Sequence, residues 1–517
     1  MGTSARPSLA TNGRWSSTSR NTDGQECPSY SSRFKIMSLF ISHKLWNGRT
    51  AAAALLVGVV VCLFVSNTGV QAIRRANEPT NFVLVDPQPG LDDWPGWRGT
   101  GGTNAFPGSR PPIQWSIDDN TAWQVPLPGR GHASPSLWGE QIFITTSEER
   151  RQTISLLNFD RLTGRSLWQS DLHHANLSLG HEKNSHASAS PICDGHFVYV
   201  ASAVNDSIWV TAVDFAGRIA WQTAAGPFQA KWGYGSSPTI YKSLVIVAAD
   251  NKGASFNRLR NTSFLAALHR QTGEIVWRIE RPSGDSFGTP VVARVSGCDQ
   301  LLIAGKGMIA SYAPATGDSL WTCRWSAQRV ANTMAFDQNH VFASARSPQK
   351  ELLCIRASGE GDVTGTHVVW REKQAASEVP SPVVYQGLLY SLGDDGILTC
   401  LNAGTGKTQW KRRLEGRFSA SPLVAGNHLY CCNEQGTTFV VKLGESAADG
   451  SGEVVAENTL NEGQFASPII SGDRLYLRTV NGLHCVTDSN GILERNVSPD
   501  PHAAPVAEQP EDSRRRL

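Results

Sequence analysis

The sequence predicts an all-β fold: an eight-bladed β-propeller of four-stranded antiparallel blades, its ring closed by an N-terminal strand that completes the last blade. Three observations predict it. A small-residue Ser-Pro phrase recurs along the chain, each copy opens two apolar β-type runs joined by a polar Gly turn, and most copies end on a Gly turn and a Trp. A module of four short strands cannot bury its own apolar faces, so successive copies must stack. Four antiparallel strands per unit of about 40–55 residues is the pattern of a propeller blade.

The opening phrases are Ser134-Pro135, Ser190-Pro191, Ser237-Pro238, Thr289-Pro290, Ser381-Pro382, Ser421-Pro422 and Ser467-Pro468. A degenerate copy, Thr333-Met334, falls in the gap where one is due and brings the count to eight. Turns such as Asp394-Asp395-Gly396, Glu434-Gln435-Gly436 and Val480-Asn481-Gly482 sit between apolar runs, where Asp-Gly and Asn-Gly read as hairpin chemistry. The first closing phrase runs from Phe159 to Trp168, and later copies end at Trp221, Trp277, Trp321, Trp370 and Trp410. After Gly444 the copy has lost its Trp. The eighth opening leads to only three strands, while Ala122-Trp123-Gln124-Val125 is an unmatched fourth strand ahead of the first. Joining them leaves no unpaired edge. Recurring once per module, Trp123, Trp168, Trp221, Trp277, Trp321, Trp370 and Trp410 read as packing devices between blades.

Residues 1–36 are rich in Ser, Thr, Arg and Gly without apolar periodicity, and read as a disordered extension. Residues 37–72 read as a signal peptide or signal anchor: Met37, basic residues to Arg49, an apolar run from Ala51 to Val65, then Val70-Gln71-Ala72 as a cleavage pattern. The run is shorter than the roughly 20 residues of a spanning helix. Residues 73–91 are a linker, 92–496 the propeller and 497–517 a disordered charged tail. The expected location is extracytoplasmic, periplasmic or at the cell surface, with the N-terminal apolar segment as a membrane tether if it is not cleaved. Charged residues are 18% of the chain with a net charge of +2, which excludes the clustered basic surface of a nucleic-acid binder. Ten cysteines contain no Cys-x-x-Cys pair, so no zinc or thioredoxin-type motif is indicated.

Leu401-Asn402-Ala403-Gly404-Thr405-Gly406-Lys407-Thr408-Gln409-Trp410 resembles the tryptophan-docking repeat of quinoprotein dehydrogenases, as does Ala313-Pro314-Ala315-Thr316-Gly317-Asp318-Ser319-Leu320-Trp321. That resemblance implies an eight-bladed propeller and, in the enzymes, pyrroloquinoline quinone (PQQ) with calcium. The same repeat resembles the periplasmic propeller of the outer-membrane β-barrel assembly machinery, which binds proteins and carries no cofactor. The phrases Trp94-Pro95-Gly96-Trp97-Arg98-Gly99, Gly129 to Pro135, Lys183 to Ser188 and Gly226-Pro227-Phe228 through Gly233 to Pro238 are similar to secreted propellers of planctomycete bacteria.

In the quinoprotein dehydrogenases the quinone lies between a Trp and a disulfide of adjacent cysteines. Here Cys431-Cys432 is an adjacent pair, but it falls inside a strand, where neighbours point to opposite faces. Two ordinary strand thiols are therefore expected, and the long insertions that cap the enzymes' active site are missing. His173, His174, His181 and His186 read as one insertion before the second opening. With His132 ahead of the first, the phrases place His132, Lys183, Asn184, His186, Trp232 and Tyr234 as a candidate ligand site on one rim of the channel. No zinc-type spacing accompanies them, so no metal is assigned. The functional expectation is a non-enzymatic binding or assembly scaffold without cofactor, contacting protein or cell-envelope polymer. A PQQ- and calcium-dependent alcohol or sugar dehydrogenase is the alternative.

Overall fold

The computed structural model describes residues 88–488, apart from 176, 178–182, 231, 252–262 and 447–448. The signal segment, the N-terminal extension and the charged tail lie outside the described residues. Among those described, no helix is long and apolar enough to cross a membrane.

Eight four-stranded antiparallel sheets form the ring. Blade 1 contains Ser136–Trp138, Gln141–Glu148, Thr153–Asp160 and Ser166–His174 in that spatial order. Blades 2 to 7 repeat the plan, and each first strand follows one of the opening phrases, the degenerate Thr333-Met334 included. Blade 7 supplies its fourth strand, Val454–Thr459, without a Trp. Blade 8 takes Ile469–Ser471, Arg474–Arg478 and Gly482–Val486 from the C-terminal side and Thr121–Pro126 from the N-terminal side. Trp123 pairs with Cys485 in that closing ladder.

Burial explains why the four strands read differently. Middle strands are covered on both faces by neighbouring blades, so Leu244–Ala249 is buried throughout and needs a continuous apolar run. Outermost strands face solvent on one side and alternate, as in Ile275–Glu280. The apolar core is accordingly a series of seams between blades. Phe143 and Leu156 of blade 1 pack with Val198 and Val200 of blade 2, and Leu352 of blade 5 packs with Leu389 of blade 6.

Trp123, Trp168, Trp221, Trp370 and Trp410 each lie beside an aromatic ring of their own blade and cover the turn glycine of the next. Trp370 lies 6.0 Å from Phe342, donates its indole N–H to the Ala403 carbonyl at 2.8 Å, and sits over Gly406. Trp168 does the same with Phe143, the Phe215 carbonyl and Gly217. Trp123, Trp221, Trp277 and Trp410 also cover turn glycines. Those glycines have φ between 71° and 86° at Gly164, Gly217, Gly273, Gly317, Gly406 and Gly452, and a Cβ on any of them would lie within 3 Å of the indole. Trp321 differs: its N–H goes to Gln300 within its own blade. There the chain of blade 5 makes an excursion in which Gly361–Asp362 pairs parallel with Ser319–Arg324, giving blade 4 a fifth strand.

The segment before the ring is threaded into one end of its bore, and both its ends lie at the turns between the first and second strands of blades 1, 7 and 8. Trp94 bridges to Leu137 of blade 1, and the Pro95 carbonyl accepts from Cys193 N–H of blade 2. Trp97 reaches blade 5, Arg98 blade 6, and Ala105–Phe106 pairs parallel with Leu423–Ala425 of blade 7. Arg98 holds φ 67°, a left-handed conformation that a bulky side chain adopts only when its surroundings enforce it.

Candidate functional site

The innermost strands frame a cavity of about 100 Å³ on the propeller axis. Its wall is two stacked rings, because extended backbone points residues n and n−2 the same way. The lower ring consists of the opening hydroxyls Ser190, Ser237, Thr289, Thr333, Ser381, Ser421 and Ser467. The upper ring is the residue two positions earlier in each blade: His132, Ser188, Gly235, Phe287, Ala331, Val379, Ser419 and Phe465. Trp97 of the threaded segment completes the lining.

The lower ring is tied blade to blade. The backbone N–H of Ser134 donates to Ser190 Oγ, that of Ser190 to Ser237 Oγ, and that of Ser237 to Thr289 Oγ1. After a break at Thr289, the N–H of Thr333 donates to Ser381, that of Ser381 to Ser421 and that of Ser421 to Ser467. All six lie between 2.8 and 3.0 Å. At the break, Thr333 Oγ1 instead accepts the Trp97 indole N–H at 3.0 Å. Ser134 Oγ, which lies off the cavity wall, donates to the Ser467 carbonyl and joins blade 1 to blade 8, so the ring of bonds is interrupted at Thr289 alone among the described residues. The opening Ser or Thr is thus required as a hydroxyl rather than merely as a small residue.

Two arginines lie buried against this wall. Arg98 donates to the carbonyl of Pro382, next to Ser381, and to those of Gly102 and Thr103. Arg478 donates to the Ala133 carbonyl, next to Ser134. Both are 2% exposed, and among the described residues neither forms an ion pair. Loss of hydration without a compensating anion pulls each guanidinium down to about 9. Arg98 Nη1 and Arg478 Nε have no hydrogen-bond partner.

The predicted rim residues fall in three places. His132 alone lines the cavity, stacked on Phe465 at 4.6 Å between centroids. Burial lowers its pKa to about 3, aided by the charges of Arg478 and Arg130 and opposed by a hydrogen bond with the Lys183 backbone. Lys183 sits at the mouth, its ammonium 2.7 and 2.8 Å from the two oxygens of Glu434 in a blade 7 turn. Glu434 also accepts from Ser419 of the upper ring. Asn184 donates to the Trp232 carbonyl at 2.5 Å and accepts from Ser185 N–H, so it shapes the loop. Tyr234 is away from the cavity. Its ring packs edge-on against Phe228 and its hydroxyl donates to the Ala248 carbonyl, so burial raises its pKa.

The histidine grouping is corrected. His173 and His174 belong to the outer strand Ser166–His174 of blade 1, not to the loop that carries His186, and His181 lies outside the described residues. His173 lies beside Trp209 and is lowered by burial to about 4. Among the described residues no three His, Cys, Asp or Glu side chains group to hold a metal ion. Sequence reasoning missed Trp97, Arg98, Glu434 and Arg478, along with the phenylalanines of the upper ring. The n−2 offset from each opening phrase would have found the ring, but nothing local marks the others.

The residues present do not fit a quinone of the dehydrogenase kind. Cys431 and Cys432 are free, fully buried thiols on opposite faces of their strand, one in the seam with blade 6 and the other in the seam with blade 8. Burial raises both, Cys432 to about 12. Neither reaches the cavity wall, so they cannot cover a cofactor on the axis.

A family model described as outer membrane protein assembly factor BamB matches residues 150–365 and 362–491. BamB of Yersinia pestis is 21% identical over 360 residues, 68% of this chain and 83% of that protein. The crystal structure of BamB from Moraxella catarrhalis aligns with a TM-score of 0.51 at 15% identity, covering 71% of this chain and 98% of that one. A europium-containing methanol dehydrogenase aligns with a TM-score of 0.55 at 12% identity, covering 76% and 91%. At such identities the two structures speak for the fold alone. The match over 150–491, carried on eight blades tied by their opening hydroxyls, makes this chain a member of the outer membrane protein assembly factor BamB family.

Proposed function

We propose that this protein is a non-enzymatic, cofactor-free propeller of the extracytoplasmic space that binds a protein partner during assembly of the outer membrane. The observation that carries this reading is how the bore is used. Its axis is occupied by the chain's own segment from Trp94 to Phe106, and its remaining cavity is walled by hydroxyls, apolar residues that include Phe287, Phe465 and Trp97, and one imidazole held neutral at physiological pH. The adjacent thiols are spent on interblade packing. What remains available to a partner is the broad face with its turns and opening loops, the mode of use expected of loops on a rigid scaffold. The names of the relatives support assembly as the process, and they support an extracytoplasmic location.

The test has two arms. Removing the protein from the cell that makes it should lower the levels of outer-membrane proteins; unchanged levels overturn the assembly role. Adding PQQ and calcium to the purified protein should give no bound quinone spectrum and no dye reduction with alcohols or aldoses. A stoichiometric bound quinone would replace the scaffold with the dehydrogenase.

A further inference from the structure

We propose that the axial cavity is a binding site for a small oxyanion of phosphate or sulfate size. This does not rest on the scaffold reading.

The argument begins with a count of donors and acceptors. A hydroxyl offers one proton and two lone pairs. Every lower-ring oxygen lining the cavity already accepts a proton, six from backbone N–H groups and Thr333 from the Trp97 indole, when Ser190 is counted with the others. Among the described residues, none of these seven hydroxyls donates its own proton to a protein acceptor. All are buried. Seven donors therefore converge on one small space, and an occupant must supply acceptors. A polyol brings a proton with every two lone pairs, and those protons would be set against wall hydroxyls whose free capacity is mostly for donating. An oxyanion brings acceptors only, and buried polar groups without partners are costly.

The charges point the same way. No carboxylate lines the cavity. The nearest, Glu434 at the mouth, is neutralised by Lys183. Against the wall lie Arg98 and Arg478, buried cations without a carboxylate partner, each with an N–H that bonds to nothing in the protein. A buried cation is costly to hold unless an anion lies near. Burial is the main cause of the lowered basicity of His132, and the nearby charges of Arg478 and Arg130 lower it further. A cavity of about 100 Å³ has room for a phosphate-sized ion and excludes bulky sulfonates.

The experiment uses the full chain after dialysis against anion-free buffer. Thermal unfolding is followed in rising inorganic phosphate, with ionic strength held constant by a bulky organic sulfonate. Binding to the folded state raises the midpoint with the logarithm of phosphate concentration. Selenate soaked into crystals should give an anomalous peak on the axis, within hydrogen-bond distance of the opening hydroxyls. Arg478→Gln should weaken phosphate binding at least tenfold. If that variant does not fold, Thr333→Val, which removes one cavity hydroxyl outside the backbone circuit, should weaken it several-fold. Glycerol 3-phosphate separates the sources: equal or tighter binding than inorganic phosphate marks the headgroup of a ligand entering at the mouth, and exclusion marks a free ion, both consistent with the site. A midpoint that responds equally to phosphate and sulfonate, or axial density that remains water after the soak, overturns the proposal.

Discussion

The ammonium of Lys183 lies 2.7 and 2.8 Å from the two carboxylate oxygens of Glu434, joining the loop that opens blade 2 to a turn of blade 7 at the mouth of the bore. The two residues are 251 positions apart, and Glu434 is the more buried partner, with Ser419 as its second donor.

This contact should be measurable as a coupling. In a double-mutant cycle of Lys183→Met and Glu434→Gln, urea unfolding should give an interaction of about 1 kcal/mol, the scale of a partly exposed pair. Additive single-variant effects would show that the loop is held by Asn184 and its neighbours instead.

The glycines beneath the closing tryptophans are a second target. Gly406 has φ 71° and no room for a methyl group, since a Cβ would lie 2.7 Å from the Trp370 ring. Gly406→Ala should cost about 1–3 kcal/mol through strain and displacement of the ring. Gly404→Ala, two residues away and free of both constraints, should stay within about 0.5 kcal/mol of the parent. Equal losses at the two positions would rule out the docking account.

Removing one hydroxyl from the ring of openings tests the interblade circuit. Ser421→Ala leaves the buried N–H of Ser381 without an acceptor, and about 1–3 kcal/mol should be lost. Ser421→Thr keeps the oxygen and should recover most of it. If Ser421→Ala unfolds at the same urea concentration as the parent, the hydroxyl is dispensable.

His132 supplies a pH signature. Its folded-state pKa is about 3, against an ordinary 6.5, so in the unfolded chain the ring takes up a proton that the folded chain refuses. Stability contributed by the neutral ring is complete above about pH 6.5 and is lost as pH falls toward 3. His173, His428 and His484 are also lowered by burial and add parallel losses, so the informative quantity is a difference. Between pH 6 and 4, His132→Gln should show a shallower decline in stability than the parent by about one proton. Superimposable slopes would mean that the ring is hydrated in the folded state.

The ring was legible because the features that build it are repeated. Six of the eight opening hydroxyls accept the same interblade bond, and the degenerate Thr333-Met334 keeps a hydroxyl that accepts the Trp97 indole N–H instead. The turn glycines and tryptophans are coupled in the same way. The positions of the cavity's upper ring recur at a fixed offset from the openings, but its chemistry was not legible, because the ring reads His, Ser, Gly, Phe, Ala, Val, Ser, Phe, with no residue type common to the blades. Lys183 and Glu434 meet only after five blades intervene, and Arg98 and Arg478 announce their burial by nothing in their neighbourhoods. His173 and His174 were drawn into a loop because charged and polar residues flank them. The strand continues through them since Ile154 and Thr153 still offer ladder partners.

The threaded segment sits in the chain just ahead of the strand that closes the ring. Trp94 to Phe106 occupies the axis, and Thr121–Pro126 a few residues later supplies the outermost strand of the final blade. During synthesis these residues leave the ribosome before any blade exists, yet their ladder partners at Gly482–Val486 are among the last to emerge. The strand that shuts the circle is thereby tied along the chain to the segment that fills one end of its axis. A chain truncated before Gly482 would leave Thr121–Pro126 without its ladder partner and the ring open at that seam, although the axial segment would keep its contacts with blades 1, 2, 5, 6 and 7.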